Sequence, residues 1–333
     1  MAEPLRARVR HAFLAACALD VAVRKPGNVS AHSPGHGMQA AQFLASAEAA
    51  AGPLFALGRS VGERIEGAVA ATLAVAGCNT NLGILLLCAP LAQLADPVTE
   101  HRAELAGGLA RDLVGGSSDG LAVGPASTRA GDRLDSLAGD HRADPAAWRA
   151  GLARVLEALD REDAAAAFRG IAAAHPGGLG HSDAQDVRQP PSVTLKQAML
   201  IAAPRDRIAQ QYASGFADLF EVGLPILAAH PGLGGALTPA AVQALFLAYL
   251  GRWPDSHIVR KHGTALGQLV TQEAAIWRDR SAGGEAVGED PAFIAWDESL
   301  KARGLNPGTS ADLTVATLCL ALSLGVVRMD TPG

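Results

Sequence analysis

The stretch Gly304-Leu305-Asn306-Pro307-Gly308-Thr309-Ser310-Ala311-Asp312-Leu313-Thr314 joins a tight turn to a strongly apolar helix. Adjacent Pro and Gly mark a turn, and a hydroxyl residue beside them marks the start of a helix. The run that follows, 313–327, is apolar on nearly every side, as is typical of a helix at the centre of a protein. Thr309 with Asp312 three residues later predicts a capping box with Asp in the place of Glu.

This turn also predicts a binding site. The first amides of a helix point out of its end, an arrangement that suits a phosphate group. A carboxylate at Asp312 repels a bare phosphate unless a divalent cation lies between them. The turn and Asp312 together therefore predict a site for a magnesium nucleotide, with Asp312 as the metal ligand. The alternative is an ordinary cap on a buried helix.

The composition favours closely packed helices. Hydrophobic residues make up 49% of the 333 residues, yet only 4% are aromatic, and Ala is frequent. Ala and Leu are strong helix formers, while the residues preferred in strands are scarce. The sequence therefore predicts an all-α fold, a multi-helix globular bundle with central apolar helices. We expect one domain over 1–333, with a mobile insertion around 115–144 that is rich in Gly, Ser, Asp and Arg.

Charge and cysteine usage exclude several classes of protein. The formal charge of -5, without a Lys/Arg cluster, argues against a nucleic-acid binder. The four Cys are scattered through apolar runs with no CxxC pair, as expected for buried thiols in a reducing compartment. No apolar run is suited to span a membrane, and the N-terminus lacks a signal-peptide pattern. We therefore expect a cytoplasmic protein without nucleic-acid or membrane partners, and a homodimer stays open.

Hydrophobic periodicity predicts helices along most of the chain. Turn signals, which are mainly Gly and Pro, separate them. The predicted ranges are 5–23, 39–51, 53–76, 84–94, 98–113, 145–159, 162–174, 193–203, 205–222, 239–250, 256–263, 291–302 and 313–327.

Three further stretches place polar groups at helix ends. Lys25, just before a Pro-Gly turn, is a candidate phosphate contact, and the alternative is a solvated Lys at a helix end. Residues 79–81 (Asn-Thr-Asn) open a nearly wholly apolar helix, as residues 306–312 do, so both turns are expected to face one interior pocket. Asp255 caps a short helix that carries Lys261, and its polar face is expected either to line a cleft or to be solvated.

The loop 175–187 allows two interpretations. His175, His181, Asp183 and Asp186 are candidate metal ligands. Two His six apart in a loop match no tight zinc spacing, however, so the alternative is a structured connector.

Four of these stretches, in the right order, resemble the triphosphoribosyl-dephospho-CoA synthase family. They are Lys25-Pro26-Gly27, Gly77-Cys78-Asn79-Thr80, 255–263 and 306–312. The last is the most specific, being similar to Ser-Pro-Gly-Gly-Ser-Ala-Asp in the family. The resemblance covers 24–325 and implies an all-helical transferase that moves the triphosphoribosyl group of ATP to an acceptor hydroxyl of 3′-dephospho-CoA, with release of adenine and with Mg²⁺ as cofactor. The product supplies a prosthetic group.

The resemblance implies roles for particular residues. Breaking the N-glycosidic bond builds positive charge on ribose C1, the acceptor hydroxyl needs a base, and the triphosphate needs Lys and a metal ion. Lys25, Asp255 and Asp312 are therefore the predicted catalytic residues. The predicted substrate-binding residues are Pro26, Gly27, Asn28, His36, Asn79, Thr80, Asn81, Arg205, Asp206, Lys261, His262, Asn306, Gly308, Thr309 and Ser310.

The chain departs from the family pattern at three places. Asn81-Leu82 replaces the usual His-Lys, His36-Gly37-Met38 lacks the Asp of Gly-Ala-His-x-Asp-Met, and 210–216 replaces Ala-Arg-Gly-Glu. These departures indicate a shorter, divergent branch. They leave as an alternative a related ATP-dependent transferase in another coenzyme biosynthesis pathway. A metal hydrolase centred on the loop 175–187 and a catalytically silent helical scaffold are the two other classes considered.

Overall fold

The computed structural model describes residues 5–96, 143–182, 184–230, 232 and 235–329. Over these ranges the chain is helical, and isolated bridges stand in place of a sheet, so the all-α prediction is confirmed. A π-helical turn, Leu219–Gly223, and a 3₁₀ turn, Val287–Glu289, accompany the α-helices. The α-helices are α1 (Leu5–Ala22), α2 (Ala40–Leu54), α3 (Val61–Ala76), α4 (Leu82–Leu94), α5 (Pro145–Glu157), α6 (Arg161–Ala174), α7 (Leu195–Ala202), α8 (Arg207–Ser214), α9 (Leu224–Ala229), α10 (Pro239–Leu250), α11 (Ser256–His262), α12 (Thr264–Ala282), α13 (Pro291–Ala302) and α14 (Gly308–Leu324).

Helix α14 lies at the centre of the larger apolar core. Almost every residue from Leu313 to Leu324 is buried, and the helix packs on α1, α4 and α10. Since an α-helix that is apolar on every side must be surrounded by protein, the central position follows from the sequence. The structure confirms the central helix that the run 313–327 predicts, although the helix begins earlier, at Gly308.

A second, smaller core cluster lies beside the first. It gathers one side of α10 with residues of α12 and α13, including Val270 and Phe293. Ala311 belongs to this second cluster, whereas Leu313 belongs to the first. The beginning of α14 therefore lies where the two clusters meet.

Several predicted boundaries are wrong, and at two of them a Pro or Gly acts differently in context. Helix α2 continues through Gly52-Pro53 to Leu54, since Pro53 falls in the last turn, where its missing N–H removes only one hydrogen bond. The predicted helix 205–222 is interrupted at Gly215, which ends α8 with φ 64° in the left-handed region. The predicted helix 53–76 begins only at Val61, as α3, and helices α9 and α12 are absent from the predicted ranges.

Part of the prediction falls on residues that the structure does not describe. The predicted helix 98–113 and the predicted insertion around 115–144 lie outside the described residues, apart from Ala143 and Asp144. The Ala143 amide donates to the Leu324 carbonyl at 3.0 Å, and the Asp144 side chain caps α5. Among the described helices, none combines the length and the apolarity that crossing a membrane requires.

Candidate active site

A cavity of about 750 Å³ lies at the beginnings of α4, α8 and α14. Residues 79–81 and the 306–312 turn both line it, which confirms that the two turns face one pocket. The loop 176–187, without Asp183, and parts of α6 and α7 complete its lining. Its size is within the range of small-molecule sites.

Asp312 lies in the lining of this cavity, directly against Gly83. A Cβ atom at Gly83 would come within 2.0 Å of Asp312 Oδ2. The Asp312 carboxyl group makes no hydrogen bond or ion pair with another described residue. Removal from water raises its pKa well above the ordinary value, and Asp20 and Asp255 add to this, while Arg260 opposes it. The Asp312 carboxyl group therefore lines the cavity with its hydrogen-bonding capacity unused by the described residues.

The predicted capping box at this helix is wrong. Pro307 precedes the first turn and gives no side-chain cap, so Thr309 lies inside the helix. Thr309 Oγ1 instead accepts a hydrogen bond from the backbone N–H of His257 at 3.2 Å. The alternative interpretation of Asp312, an ordinary cap on a buried helix, is therefore also wrong.

A second carboxyl group in the lining comes from Asp20. Lys25 Nζ lies 3.1 Å from Asp20 Oδ1 and also donates to the Asp20 carbonyl oxygen. Burial raises the pKa of Asp20, and Lys25 opposes that rise. The Lys25 side chain is 0% exposed, so the alternative of a solvated lysine is wrong. Lys25 is therefore the counter-ion of Asp20, and it lies outside the cavity lining.

The two Pro-Gly turns pack against each other. Asn28 Nδ2 donates to Asn306 Oδ1 at 3.0 Å, and both residues line the cavity. Gly27 has φ 79°, and a Cβ atom there would lie 2.7 Å from the Leu305 carbonyl oxygen, so the close approach requires glycine. The His36 Nε2 atom lies 2.8 Å from the Gly27 carbonyl oxygen, and burial lowers the pKa of this His.

The loop that carries the Pro26-Gly27 turn is held to α13 by Asp297. The Asp297 carboxylate, 0% exposed, accepts from the Gly27 amide at 2.9 Å and from Arg24 at 2.8 Å. Lys301 Nζ lies 3.0 Å from the same carboxylate. Pro26 is buried within this loop. This network fixes the position of Asn28 at the cavity.

Residues 79–81 use most of their polar groups to hold the entrance of α4. Asn79 Oδ1 accepts from the Leu82 amide at 3.0 Å, and Thr80 Oγ1 donates to Ser46 at 2.8 Å. Asn81 Oδ1 accepts from Thr72 at 3.1 Å, whereas Asn81 Nδ2 is buried without a partner among the described residues. The Asn81 Nδ2 donor at the cavity is thus unused by the described residues.

Asp255 is held by the fold itself. Its Oδ1 atom accepts from the amides of His257 and Ile258 at 3.0 and 3.3 Å, which confirms the predicted cap of α11. Its Oδ2 atom accepts from the Ser310 amide and hydroxyl, each at 2.8 Å. Burial raises the pKa of Asp255, and Ser310 with the two amides opposes the rise. Asp255 and Ser310 thus join the beginnings of α11 and α14, and neither is in the lining of the cavity.

Two arginines bring positive charge to the cavity. Arg260 Nη1 lies 3.1 Å from Asp206, which also caps α8, and Arg260 Nε donates to the Gly177 carbonyl at 3.0 Å. Arg205 Nη2 donates to Ser182 Oγ at 3.1 Å. Among the described residues no carboxylate pairs with Arg205, so its guanidinium is available to an anionic ligand.

The predicted residues Lys261 and His262 lie on α11 but outside the cavity lining. His262 Nε2 is 3.1 Å from the Gly304 carbonyl oxygen, and Lys261 is exposed. The structure therefore places His262 against the turn that precedes α14, and it does not bring Lys261 to the cavity.

His257, like Asp20, is a cavity residue that sequence reasoning missed. A Cβ atom at Gly308 would lie 2.7 Å from His257 Nδ1, so glycine at 308 leaves room for the ring. The ring nitrogens have no hydrogen-bond partner in the described part of the chain. Burial, with Arg260 and Lys261, lowers the His257 pKa to about 4, so the ring is neutral at pH 7. The available signal was its place two residues after a helix cap, Asp255.

The described part of the loop 175–187, which excludes the candidate ligand Asp183, forms no metal centre. No group of three His, Cys, Asp or Glu suited to a metal ion occurs in the described ranges, and Asp183 lies outside them. His181 is 90% exposed, and Asp186 is engaged by the Ser182 amide and Arg188. The described residues favour the structured connector.

Comparisons with known proteins relate the chain to one family and one solved structure. A family model for ATP:dephospho-CoA triphosphoribosyl transferase matches residues 6–329. A crystal structure of a candidate triphosphoribosyl-dephospho-CoA synthase from Archaeoglobus fulgidus is similar with a TM-score of 0.54 and 22% sequence identity, covering 85% of this chain and 98% of that one. At 22% sequence identity, this structural similarity shows that the two chains share a fold. No curated protein matches the chain in sequence.

Proposed function

The chain belongs to the ATP:dephospho-CoA triphosphoribosyl transferase family, and on that premise we propose that its two substrates meet in the cavity at the beginnings of α4, α8 and α14. The chain is a transferase that moves a triphosphoribosyl group to dephospho-CoA, a step in the synthesis of a prosthetic-group precursor. One observation carries the location of the site. Asp312, a carboxyl group in the lining, has no partner among the described residues.

Magnesium suits this part of the cavity. Besides Asp312, the lining residue Asn28 has a buried oxygen, Oδ1, without a hydrogen-bond partner among the described residues, and the Asp20 carboxyl group, whose Oδ1 is paired with Lys25, lies in the same lining. Mg²⁺ prefers oxygen ligands and is usually held by one or two carboxylates together with substrate phosphates. We therefore propose Asp312 as the ligand of a magnesium ion that accompanies ATP, with Asp20 and Asn28 beside it. Bound there, the ion supplies positive charge to the triphosphate.

The charges of the lining suit transfer from ribose C1. Positive charge develops on C1 as adenine leaves, and the carboxylates of Asp20 and Asp312 stabilise such charge. Arg205, which has no carboxylate partner among the described residues, suits a phosphate group of either substrate. Asn81 Nδ2 offers one further donor.

An apolar part of the lining suits the flat or alkyl parts of the substrates. Phe168, Ile171 and Met199, from α6 and α7, line the cavity together with Phe43 of α2. Apolar and aromatic side chains are the usual surroundings of a bound base. This part of the cavity therefore suits adenine or the pantetheine arm of the acceptor.

Two finer predictions accompany this function. The oligomeric state, for which a homodimer stays open, is checked by light scattering of the purified chain. A cytoplasmic location is expected and is checked by fractionation of the producing cell.

The function is tested by measuring free adenine in a mixture of protein, ATP and MgCl₂, with and without dephospho-CoA. We expect adenine release that requires both the acceptor and magnesium. Release that is equal without acceptor, or unchanged with excess EDTA, would contradict the proposal. Release that requires a different acceptor would favour the related transferase in another coenzyme pathway, and tight ATP binding without release would favour a silent scaffold.

A further inference from the structure

The reaction requires a group that takes the proton of the acceptor hydroxyl, and most carboxylates near the cavity are occupied. Asp255 accepts four hydrogen bonds. Asp206 pairs with Arg260 and caps α8, and Asp20 pairs with Lys25. Asp312 is the proposed metal ligand, and a carboxylate bound to a cation is a weak proton acceptor.

His257 remains as a base with a free lone pair at the cavity. Its ring nitrogens have no partner among the described residues, and the ring lies against Gly308, at the first turn of α14. Asp312 lies one turn further along the same helix, and both residues line the cavity. The imidazole, on α11, and the proposed metal ligand, on α14, therefore line the same cavity.

We propose that His257 is the catalytic base that removes the proton from the acceptor hydroxyl, an inference that rests on the proposed function. The bond between ribose C1 and adenine breaks, and its electron pair leaves with the base. The acceptor oxygen forms the new bond to C1, and its proton passes to the neutral imidazole. Return of this proton to adenine, directly or through water, restores the neutral ring, so no further reactant is consumed.

The surroundings keep His257 ready to accept a proton. Burial, the cations Arg260 and Lys261 on its own helix, and His36 and His262 lower its pKa to about 4. The ring is consequently neutral at physiological pH. A base of this strength is sufficient, because a hydroxyl becomes strongly acidic once its oxygen bonds to an electron-poor carbon.

The test compares His257→Gln and His257→Ala with the parent in the adenine-release assay. Gln has a similar polar side chain but does not take up a proton. We expect kcat to fall about 100-fold or more in both variants, while Mg-ATP binding changes less than about threefold. Added imidazole should restore part of the activity of His257→Ala in a saturable manner. His230→Gln is the control, since His230 lies outside the cavity lining with its ring on the Ile226 carbonyl.

Each outcome separates this inference from the proposed function. A parent enzyme without acceptor-dependent adenine release would contradict both the proposed function and the role of His257. An active parent with His257→Gln above about a third of its rate would overturn the role of His257 alone. A variant that loses Mg-ATP binding in proportion to its turnover would also overturn it, since a binding role would then explain the loss. Absence of imidazole rescue in a folded His257→Ala variant counts against the inference as well.

Discussion

Asp255 and Asp312 both lie beside the beginning of α14, and they are held in opposite ways. Asp255 is 2% exposed and accepts four hydrogen bonds from the beginnings of two helices. Asp312 faces the cavity and accepts none from a described residue. An enclosed polar group without a partner lowers stability, whereas one with all its hydrogen bonds need not. The number of hydrogen bonds that each carboxylate accepts therefore separates Asp255, which the fold uses, from Asp312, the proposed ligand-binding carboxylate.

The largest effect is expected from Asp312→Asn, which keeps the size of the side chain and removes its charge. Turnover should fall about 100- to 1,000-fold, because the proposed metal ligand and the negative charge near ribose C1 are lost together. ATP binding should no longer depend on magnesium. The melting temperature should stay equal or rise, since no contact within the described chain is broken. Adenine release, calorimetric magnesium titration and thermal melting measure these three quantities.

A matched control is Glu221→Gln, which neutralises a carboxylate that is 59% exposed and paired with Arg149 on the surface. Its turnover and magnesium dependence should equal those of the parent. An Asp312→Asn enzyme that binds Mg-ATP and turns over as the parent does would break the contrast between the two carboxylates.

Asp255→Ala should have the opposite signature. The change leaves the amides of His257, Ile258 and Ser310 without their acceptor, so the free energy of unfolding should fall by about 3 kcal/mol. Urea unfolding followed by circular dichroism measures this loss. An unchanged unfolding midpoint would show that Asp255 does not hold the two helix ends together. The contrast between a stabilising Asp255 and a non-stabilising Asp312 would then be wrong.

The smallest effect is expected from Gly83→Ala, which adds one methyl group against Asp312. Because the new Cβ would overlap Asp312 Oδ2, the carboxyl group must move, and Mg-ATP affinity should fall about tenfold. Gly151→Ala is the control, since its new methyl meets mainly the flexible end of Leu94, outside the cavity lining. Its Mg-ATP affinity should not change. Equal affinities for the two variants, measured by calorimetry, would argue against a site at Asp312.

Much of the fold could be predicted from sequence, because helix formation and burial depend on local periodicity. The apolar runs that became α4, α10 and α14 are recognisable by composition alone. Boundaries were less predictable, since the effect of a Pro depends on its position within a helix. Helix α12 shows the limit, because few of its residues are buried and its apolar pattern is weak.

The site was predictable where the signal is a turn followed by a helix, and not where it depends on distant partners. Asn28, Asn306 and Asp312 come from such turns, and all three line the cavity. Asp20 lies inside α1, where nothing in the local pattern distinguishes it from a surface acid. The capping box failed because the helix begins at Gly308, before Thr309, and Asp255, 55 residues before Ser310, accepts from the Ser310 amide instead.

The bridge from Asp255 to Ser310 also bears on how the site fluctuates. Helix ends are usually the first parts of a helix to open, since their amides have few partners. Because the Asp255 side chain holds the beginnings of two helices, we expect these two helix ends to open together. His257 and Asp312 are carried by these two ends, so they keep their relative position while both ends stay closed. A substrate would then bind to His257 and Asp312 side chains that are already positioned, so these helix ends would lose little conformational entropy on binding.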